Sequence, residues 1–307
     1  MRNIVHYIKN PYFVYACLLN KIKWIIPDKM YLKAAFRKRM GYKLDLDNPQ
    51  SFSEKLQWLK LYDRKPEYTM LVDKVKVKEY VASVLGKEYV IPTLGVWADP
   101  DEIDFGQLPD RFVLKLNHNS GTGMYICKDK SKMDVERVKA ELKRGLNENY
   151  FMHNREWPYK NVQRRILAEK FLVPAQNESD IPDYKWYCFD GIPTFCQVIQ
   201  DRSVEETIDF FDTEWNHLEF VGLNPKAENA TIVPAKPANL ETHLRIARVL
   251  SMGIPFSRID LYEAGGRTFF GEVTFFPASG MGNFRPEKYN TLLGKMINLP
   301  DNCSRHH

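Results

Sequence analysis

The residues best suited to chemistry sit near the carboxyl end, in Phe256-Ser257-Arg258-Ile259-Asp260-Leu261-Tyr262 and Thr268-Phe269-Phe270-Gly271-Glu272-Val273-Thr274, either side of Gly265-Gly266. Two strand-like runs around a glycine pair predict a β-hairpin. With a loop of odd length centred on Gly266, Asp260 faces Glu272 and Arg258 faces Thr274. All four side chains then leave one side of the sheet, because residues two apart in a strand share a face. A loop of even length sends Glu272 to the other side and dissolves the cluster. Neighbouring carboxylates repel unless a cation neutralises them. Magnesium suits such a pair, since it binds through one or two carboxylates together with phosphate oxygens. Arg258 adds a planar fork for a phosphoryl group. A surface hairpin with cross-strand charge pairs would carry the same residue types, so other segments must decide.

Lys115 ends the apolar run 111–116, where a lysine is costly unless an anion meets it. The loop that follows, Asn117-His118-Asn119-Ser120-Gly121-Thr122-Gly123, has small residues whose backbone amides could wrap phosphate oxygens. His118 is a candidate base, although a loop imidazole serves as readily in a structural hydrogen bond. These groups must be positioned by regular elements. Periodicity predicts helices over 53–61 (with Ser53 and Glu54 at its start), 74–85, 133–149 and 240–250. Strands are expected over 89–94, 111–116, 124–127 and 165–172, and a further hairpin, 186–189 with 194–199, turns at Asp190-Gly191. Helices mixed with antiparallel hairpins indicate an α+β fold rather than a doubly wound parallel sheet.

The 307 residues can bury a substantial core, and their composition is that of a folded globular protein. Cys17, Cys127, Cys188, Cys196 and Cys303 form no CxxC pair and no zinc-like spacing, which points to a reducing, cytoplasmic setting. The apolar run 12–19 is too short to span a bilayer and lacks a cleavage site, so neither a membrane span nor a secretory signal is expected. Residues 1–45 hold ten Lys/Arg and two Asp/Glu, leaving the rest of this +5 chain slightly acidic. Confinement of positive charge to one end argues against nucleic-acid binding. That segment, with Trp24, Ile25 and Ile26 among its apolar residues, could contact the inner face of the plasma membrane, or could simply be a basic surface helix.

Read in order, the informative stretches begin with Asn48-Pro49-Gln50-Ser51-Phe52-Ser53-Glu54-Lys55-Leu56 and Asp73-Lys74-Val75-Lys76-Val77-Lys78. Phe112-Val113-Leu114-Lys115, Ile166-Leu167-Ala168-Glu169-Lys170-Phe171-Leu172 and Asp183-Tyr184-Lys185-Trp186-Tyr187-Cys188-Phe189-Asp190-Gly191 follow. Arg258-Ile259-Asp260 and Gly271-Glu272-Val273-Thr274-Phe275-Phe276-Pro277-Ala278-Ser279-Gly280 complete the series. Together they resemble the ATP-grasp superfamily, and most closely its TupA-like branch, associated with teichuronopeptide and capsular polysaccharide biosynthesis and often labelled glycosyltransferase.

The resemblance implies an ATP-grasp fold with the nucleotide between two α+β lobes, behind a helical N-terminal extension over 1–70. The ATP-grasp domain would occupy 71–300, with a nucleotide-binding lobe at about 110–172 and a metal-binding, catalytic lobe at about 183–295. It implies ATP and Mg2+ as cofactors, with Lys74, Lys115 and Lys185 at the phosphates, and Ser120, Gly121 and Gly123 covering them. Glu169, Lys170 and Leu172 would border the adenine and Asp183 the ribose. Asp260, Glu272 and Thr274 would hold the metal, and Arg258, Lys115 and His118 would act in catalysis. Many superfamily ligases have Asn where this chain has Thr274, which leaves one or two metal ions open. The implied activity is carboxylate–amine ligation through an acyl phosphate, the partners being a small-molecule or glycan carboxylate and an amine. A kinase on the same scaffold and a polysaccharide-building glycosyltransferase are the rival activities.

Overall fold

The computed structural model describes residues 23–119, 123–174, 181–200 and 206–301. The chain opens with helices α1 (Asp28–Met40), α2 (Phe52–Tyr62), α3 (Glu67–Val72) and α4 (Lys76–Val84). The start of α2 is fixed by Ser51 rather than Ser53: its Oγ accepts from the Glu54 amide at 3.2 Å, and Glu54 Oε2 accepts from the Ser51 amide at 3.0 Å. That is a reciprocal cap satisfying two otherwise orphaned donors. Ser53 instead donates to the Gly282 carbonyl at 3.0 Å, tying the helix to the far end of the chain.

Strands β1 (Thr93–Trp97), β2 (Phe112–Leu116), β3 (Tyr125–Cys127) and β4 (Ile166–Lys170) form an antiparallel sheet in the order β1-β4-β2-β3. The expected strand over 89–94 is displaced, because 87–89 form a 3-10 turn and pairing starts at Thr93. Helix α5 (Val135–Leu146) sets Val138 and Leu142 against Phe112, Leu114, Leu116, Ile166 and Ala168 of this sheet. The short α6 (Phe151–Asn154) follows.

A six-stranded antiparallel sheet, β11-β10-β5-β6-β7-β8, is built from β5 (Asp183–Phe189), β6 (Ile192–Gln200), β7 (Thr207–Asp212), β8 (His217–Leu218), β10 (Phe256–Ala264) and β11 (Arg267–Thr274). β9 (Val221–Gly222) pairs with β12 (Phe284–Arg285), and helices α7 (Leu240–Ser251) and α8 (Lys288–Met296) complete the fold. Every residue of β5 is buried, which is why that strand lacks the alternation of a half-exposed one. Phe52, Tyr187, Phe189, Phe195, Phe210, Phe220, Phe256 and Phe284 form the aromatic centre of the core beneath this sheet.

The same core includes Leu32 and Phe36 of α1, Leu56 and Leu59 of α2, and Leu71 and Val72 of α3. A boundary at residue 70 is therefore corrected: it falls inside α3, and the leading helices complete the core of the large sheet. Of the basic N-terminal segment, residues 1–22 lie outside those described; Trp24 and Ile25 are exposed. Among the described residues no helix is long and apolar enough to cross a membrane. The fold is the α+β arrangement read from the hairpins.

Candidate functional site

The site grows from the register of four strands. Opposite residues of an antiparallel pair share a face, and Glu272 of β11 lies opposite Asp260 of β10, Asp260 opposite Lys185 of β5, and Lys185 opposite Gln197 of β6. One charged row thus crosses the sheet. A second row runs Thr274, Arg258, Tyr187 and Phe195, and a third runs Tyr262, Asp183, Ile199 and Ile208. Asp183, Lys185, Gln197, Arg258, Tyr262 and Glu272 line a cleft of about 400 Å³, a volume typical of small-ligand sites, closed on its other side by Lys74, Lys115, Asn119, Gly123 and Met124.

The hairpin that makes this row departs from the odd-length loop predicted for it. Ala264 pairs with Arg267, leaving a two-residue Gly265-Gly266 turn with both φ angles positive, as hairpin turns of this kind require. An even loop should have turned Glu272 away. A bulge at Gly271 restores it: Leu261 faces Phe270 whereas Asp260 faces Glu272, so one residue of β11 is skipped. A side chain at 271 would lie 2.8 Å from the Tyr262 ring and 3.0 Å from the Asp260 carbonyl oxygen, so the bulge needs glycine.

The acidic pair is neutralised by protein cations. Arg258 grips Asp260 with two bonds of 2.7 Å, from Nε to Oδ1 and from NH2 to Oδ2, and donates to Thr274 Oγ1 at 3.1 Å. Lys185 ion-pairs with Asp260 and lies 2.7 Å from Asp183 Oδ2. Lys74 lies 3.5 Å from Glu272 Oε2 and donates to the Asn119 carbonyl at 2.6 Å. Burial raises the Asp260 carboxyl, and Arg258 and Lys185 oppose that rise. Burial would likewise raise Glu272, but the charges of Lys74, Lys185, Arg258 and Lys115 hold it at about 2. Among the described residues no three His, Cys, Asp or Glu side chains are grouped to hold a metal. In this arrangement Asp260 accepts three bonds, two from Arg258 and one from Lys185, and the Thr274 hydroxyl accepts from Arg258 and lies 3.4 Å from Glu272 Oε1, so protein cations neutralise the acidic pair where magnesium was expected to. Glu272 remains cleft-facing, with its side chain one-quarter exposed.

On the smaller sheet Lys115 lies 2.7 Å from Glu169 Oε2, and Lys78 of α4 ion-pairs with the other oxygen. Burial raises the Glu169 carboxyl, but Lys115 and Lys78 together lower it below the usual range. The Glu169 side chain thus serves to anchor two lysines. Lys170 is exposed with its amide bonded to the Pro92 carbonyl at 2.9 Å, and Leu172 is half-buried. Neither they nor Glu169 line the cleft.

His118 is corrected as a catalytic base. It is buried beside the backbone of Gly145 and Glu148 and does not line the cleft; burial lowers its pKa, and neither ring nitrogen meets a well-aligned partner. Ser120 and Gly121 lie outside the described residues, while Gly123 borders the cleft with φ 68°. Trp186 is fully buried in the core.

Sequence reasoning overlooked three working parts. Asn117 joins Asp73 Oδ1 (2.8 Å), the Gln163 carbonyl (2.9 Å) and the Arg165 amide (2.7 Å), coupling the segment that bears Lys74 to the smaller sheet. Lys78 is four residues beyond Lys74 on a helix, a spacing that could have signalled a shared face. Lys60 of α2, fully buried, donates to the carbonyls of Asn154 (3.0 Å) and Ser279 (2.7 Å), while Gln57 donates to the Gly280 carbonyl at 2.7 Å. They hold a loop whose Ala278, Ser279 and Gly280 all have positive φ, and Ala278 borders the cleft. The sequence also contains Asp-x-Asp twice, as Asp45-Leu46-Asp47 and Asp99-Pro100-Asp101. In each the first carboxylate caps a local turn, accepting from the amides of Asp47 and Asp101 at 2.9 Å.

A comparison with curated proteins returns no match. Similar solved structures include the D-alanine–D-alanine ligase from Bacillus anthracis complexed with ATP, 15% identical, covering 74% of this chain and 63% of that one with a TM-score of 0.42. The D-alanine–D-alanine ligase from Helicobacter pylori is 12% identical over 82% of this chain and 70% of its own, TM-score 0.43. The ATP-grasp ligase PsnB complexed with minimal precursor, Mg and ADP is 14% identical over 73% and 57%, TM-score 0.38. This chain thus spans just under two thirds of the Bacillus ligase, 63% of its length. The sequence itself matches the TupA-like ATPgrasp family over residues 54–298. That match takes in both sheets, the bulged hairpin and the lysines facing it, and the chain belongs to the TupA-like ATP-grasp family.

Proposed function

We propose that this chain is an ATP-dependent carboxylate–amine ligase acting through an acyl phosphate, with a cell-surface or capsular polysaccharide or its precursor as one substrate and an amino acid or amine as the other. The observation that carries the reading is the convergence of Lys74, Lys115, Lys185 and Arg258 with Asp183 and Glu272 on one cleft. Lysines and an arginine suit phosphate oxygens, and a cleft-facing carboxylate held ionised suits a hard cation. Membership of the ATP-grasp family supports the nucleotide. Magnesium-ATP would supply the phosphoryl group that activates the carboxylate, and the amine would then displace phosphate at the acyl carbon.

The chain's own residues supply position and charge. Lys74 and Lys115, on opposite sides of the cleft from Arg258, offset charge on the phosphoryl oxygens. Glu272 is the carboxylate left to meet magnesium. Arg258, rigidly oriented by its paired hydrogen bonds to Asp260, presents its remaining donors to the reacting group. The loop held by Lys60 and Gln57 walls the cleft beside Glu272 and helps exclude water, which would hydrolyse an acyl phosphate. The reading sets the protein in the cytoplasm, with its basic N-terminal end against the inner face of the plasma membrane; exposed Trp24 and Ile25 support that contact.

The test is ADP release across a panel of uronic acids and amines, with Lys115→Ala and Glu272→Gln as controls. Release that needs both an acid and an amine, and falls at least about a hundredfold in the controls, is expected. Release with a hydroxyl compound alone would make the protein a kinase, and no stabilisation by magnesium-ATP in a thermal-shift titration would remove the nucleotide from the account altogether.

A further inference from the structure

Asp183 and Asp260 are both buried, at 3% and 0% exposure, and two carboxylates so placed require a positive charge between them. Lys185 supplies it, 2.7 Å from Asp183 Oδ2 and paired with Asp260 Oδ2. An ammonium has three donors and no acceptor, so it satisfies carboxylates from the position a divalent ion would otherwise take. Arg258 occupies two more sites on Asp260, one on each oxygen, with bonds of 2.7 Å, so both oxygens already face a cation.

Lys185 has little freedom to leave. It springs from β5, the strand hydrogen-bonded on both sides by β6 and β10, and it is itself only 6% exposed. Magnesium requires near-octahedral oxygen ligands at about 2.0–2.1 Å, and an ion at Asp260 would have to coexist with both an ammonium and a guanidinium at that distance. Glu272 differs. Its neighbours stand further off, Lys74 at 3.5 Å from Oε2 and Thr274 Oγ1 and Arg258 NH2 at 3.4 and 3.7 Å from Oε1, and its side chain keeps contact with solvent.

Resting on the ligase reading, we infer that Lys185 is a built-in cation standing in for one divalent ion, so that the nucleotide brings a single metal, held at Glu272. Thr274 fits this: its hydroxyl accepts from Arg258 NH2 at 3.1 Å and lies 3.4 Å from Glu272 Oε1, so it serves protein groups and offers no amide carbonyl to a second metal. Two-metal phosphoryl-transfer sites clamp the transferring group between paired ions; here Lys185 and Arg258 take the part of one of them.

The experiment titrates Mn2+ into the full chain saturated with a non-hydrolysable ATP analogue, counting bound ions by the loss of the free-Mn2+ paramagnetic resonance signal. Wild type is expected to bind about one ion per nucleotide, and Lys185→Met about two, the second at least about tenfold weakened again when Asp260→Asn is added. Two ions in the wild type, or one in a folded Lys185→Met chain with unchanged affinity, would overturn the inference while leaving the ligase reading intact. Calorimetric nucleotide binding, run in parallel, separates the cases: a wild type that binds no nucleotide overturns both. Should Lys185→Met fail to fold, the wild-type count decides by itself, with Lys185→Gln as the second variant.

Discussion

The large sheet and the small sheet bring their charged groups to the cleft in different ways. On the large sheet, Asp183, Lys185, Asp260 and Glu272 are placed by strand register beside packed rings on the same face, where Phe210, opposite Gln197, stacks on Phe220 with centroids 4.3 Å apart. On the small sheet the core is mostly aliphatic, and the side chain of Lys115 is aimed by charge, through Glu169 and Lys78. Strand register and ion pairs together preset the acidic and arginine half of the site, whereas Lys115 is aimed by its ion pair. Such pairs are directional and costly to bury, so removing one member leaves the others uncompensated. Lys74 joins the halves, touching Asn119 of one and Glu272 of the other.

That contrast has its largest consequence in stability. Phe210→Ala, which opens a void among the rings, should lower unfolding free energy by about 4 kcal/mol, and Leu114→Ala in the small sheet by about 3 kcal/mol. Urea denaturation of both variants checks the order. An equal or larger loss from Leu114→Ala would mean that the small core carries as much of the fold as the large one, and the distinction between the two would fail.

The next effect isolates charge within the large sheet. Lys74, Lys185, Arg258 and Lys115 outweigh the burial of Glu272 and hold its carboxyl down at about 2 in the folded chain, against an ordinary value of 4.5. Between those limits the unfolded chain binds more protons than the folded one. Its stabilising contribution is thus complete above pH 4.5 and is lost as pH falls towards 2. Discounted for a side chain one-quarter exposed, the loss is about 2 kcal/mol. Across that window the unfolding free energy of wild type should fall by about this amount more than that of Glu272→Gln; equal falls would show that the four cations do not act on Glu272.

Several parts of the site were legible because they depend on local chemistry. Asp190-Gly191 and Gly265-Gly266 announce turns, though not the two-residue length of the second, and the apolar run around Lys115 announces a strand. Pairings between distant segments were not legible. Lys78 and Glu169 are ninety-one positions apart, and no periodicity in either segment points to the other. His118 misled for a related reason: a loop imidazole looks available until α5 is known to pack over it. The pairing of Asp260 with Lys185 required the register between β5 and β10, which a single sequence leaves open. The resemblance to a family supplied residue roles but not these contacts.

Gly271 marks the limit between the two kinds of information. A glycine within a strand is a recognised sign of a bulge or a close backbone approach, yet the hairpin prediction kept strict pairing and altered the loop length instead. The two errors cancelled, since an odd loop without a bulge and an even loop with one both set Glu272 opposite Asp260. They are separable by mutation. Gly271→Ala puts a methyl 3.0 Å from the Asp260 carbonyl oxygen, backbone that cannot yield as a side-chain tip would. The stability cost should be small, about 1 kcal/mol, because the void-free core below is untouched. The effect on stabilisation by magnesium-ATP in a thermal-shift titration should be disproportionate, since regularising the ladder turns Glu272 to the opposite face. A variant with unchanged nucleotide response would show that the bulge is incidental, and that packing of the large sheet holds Glu272 in the cleft without it.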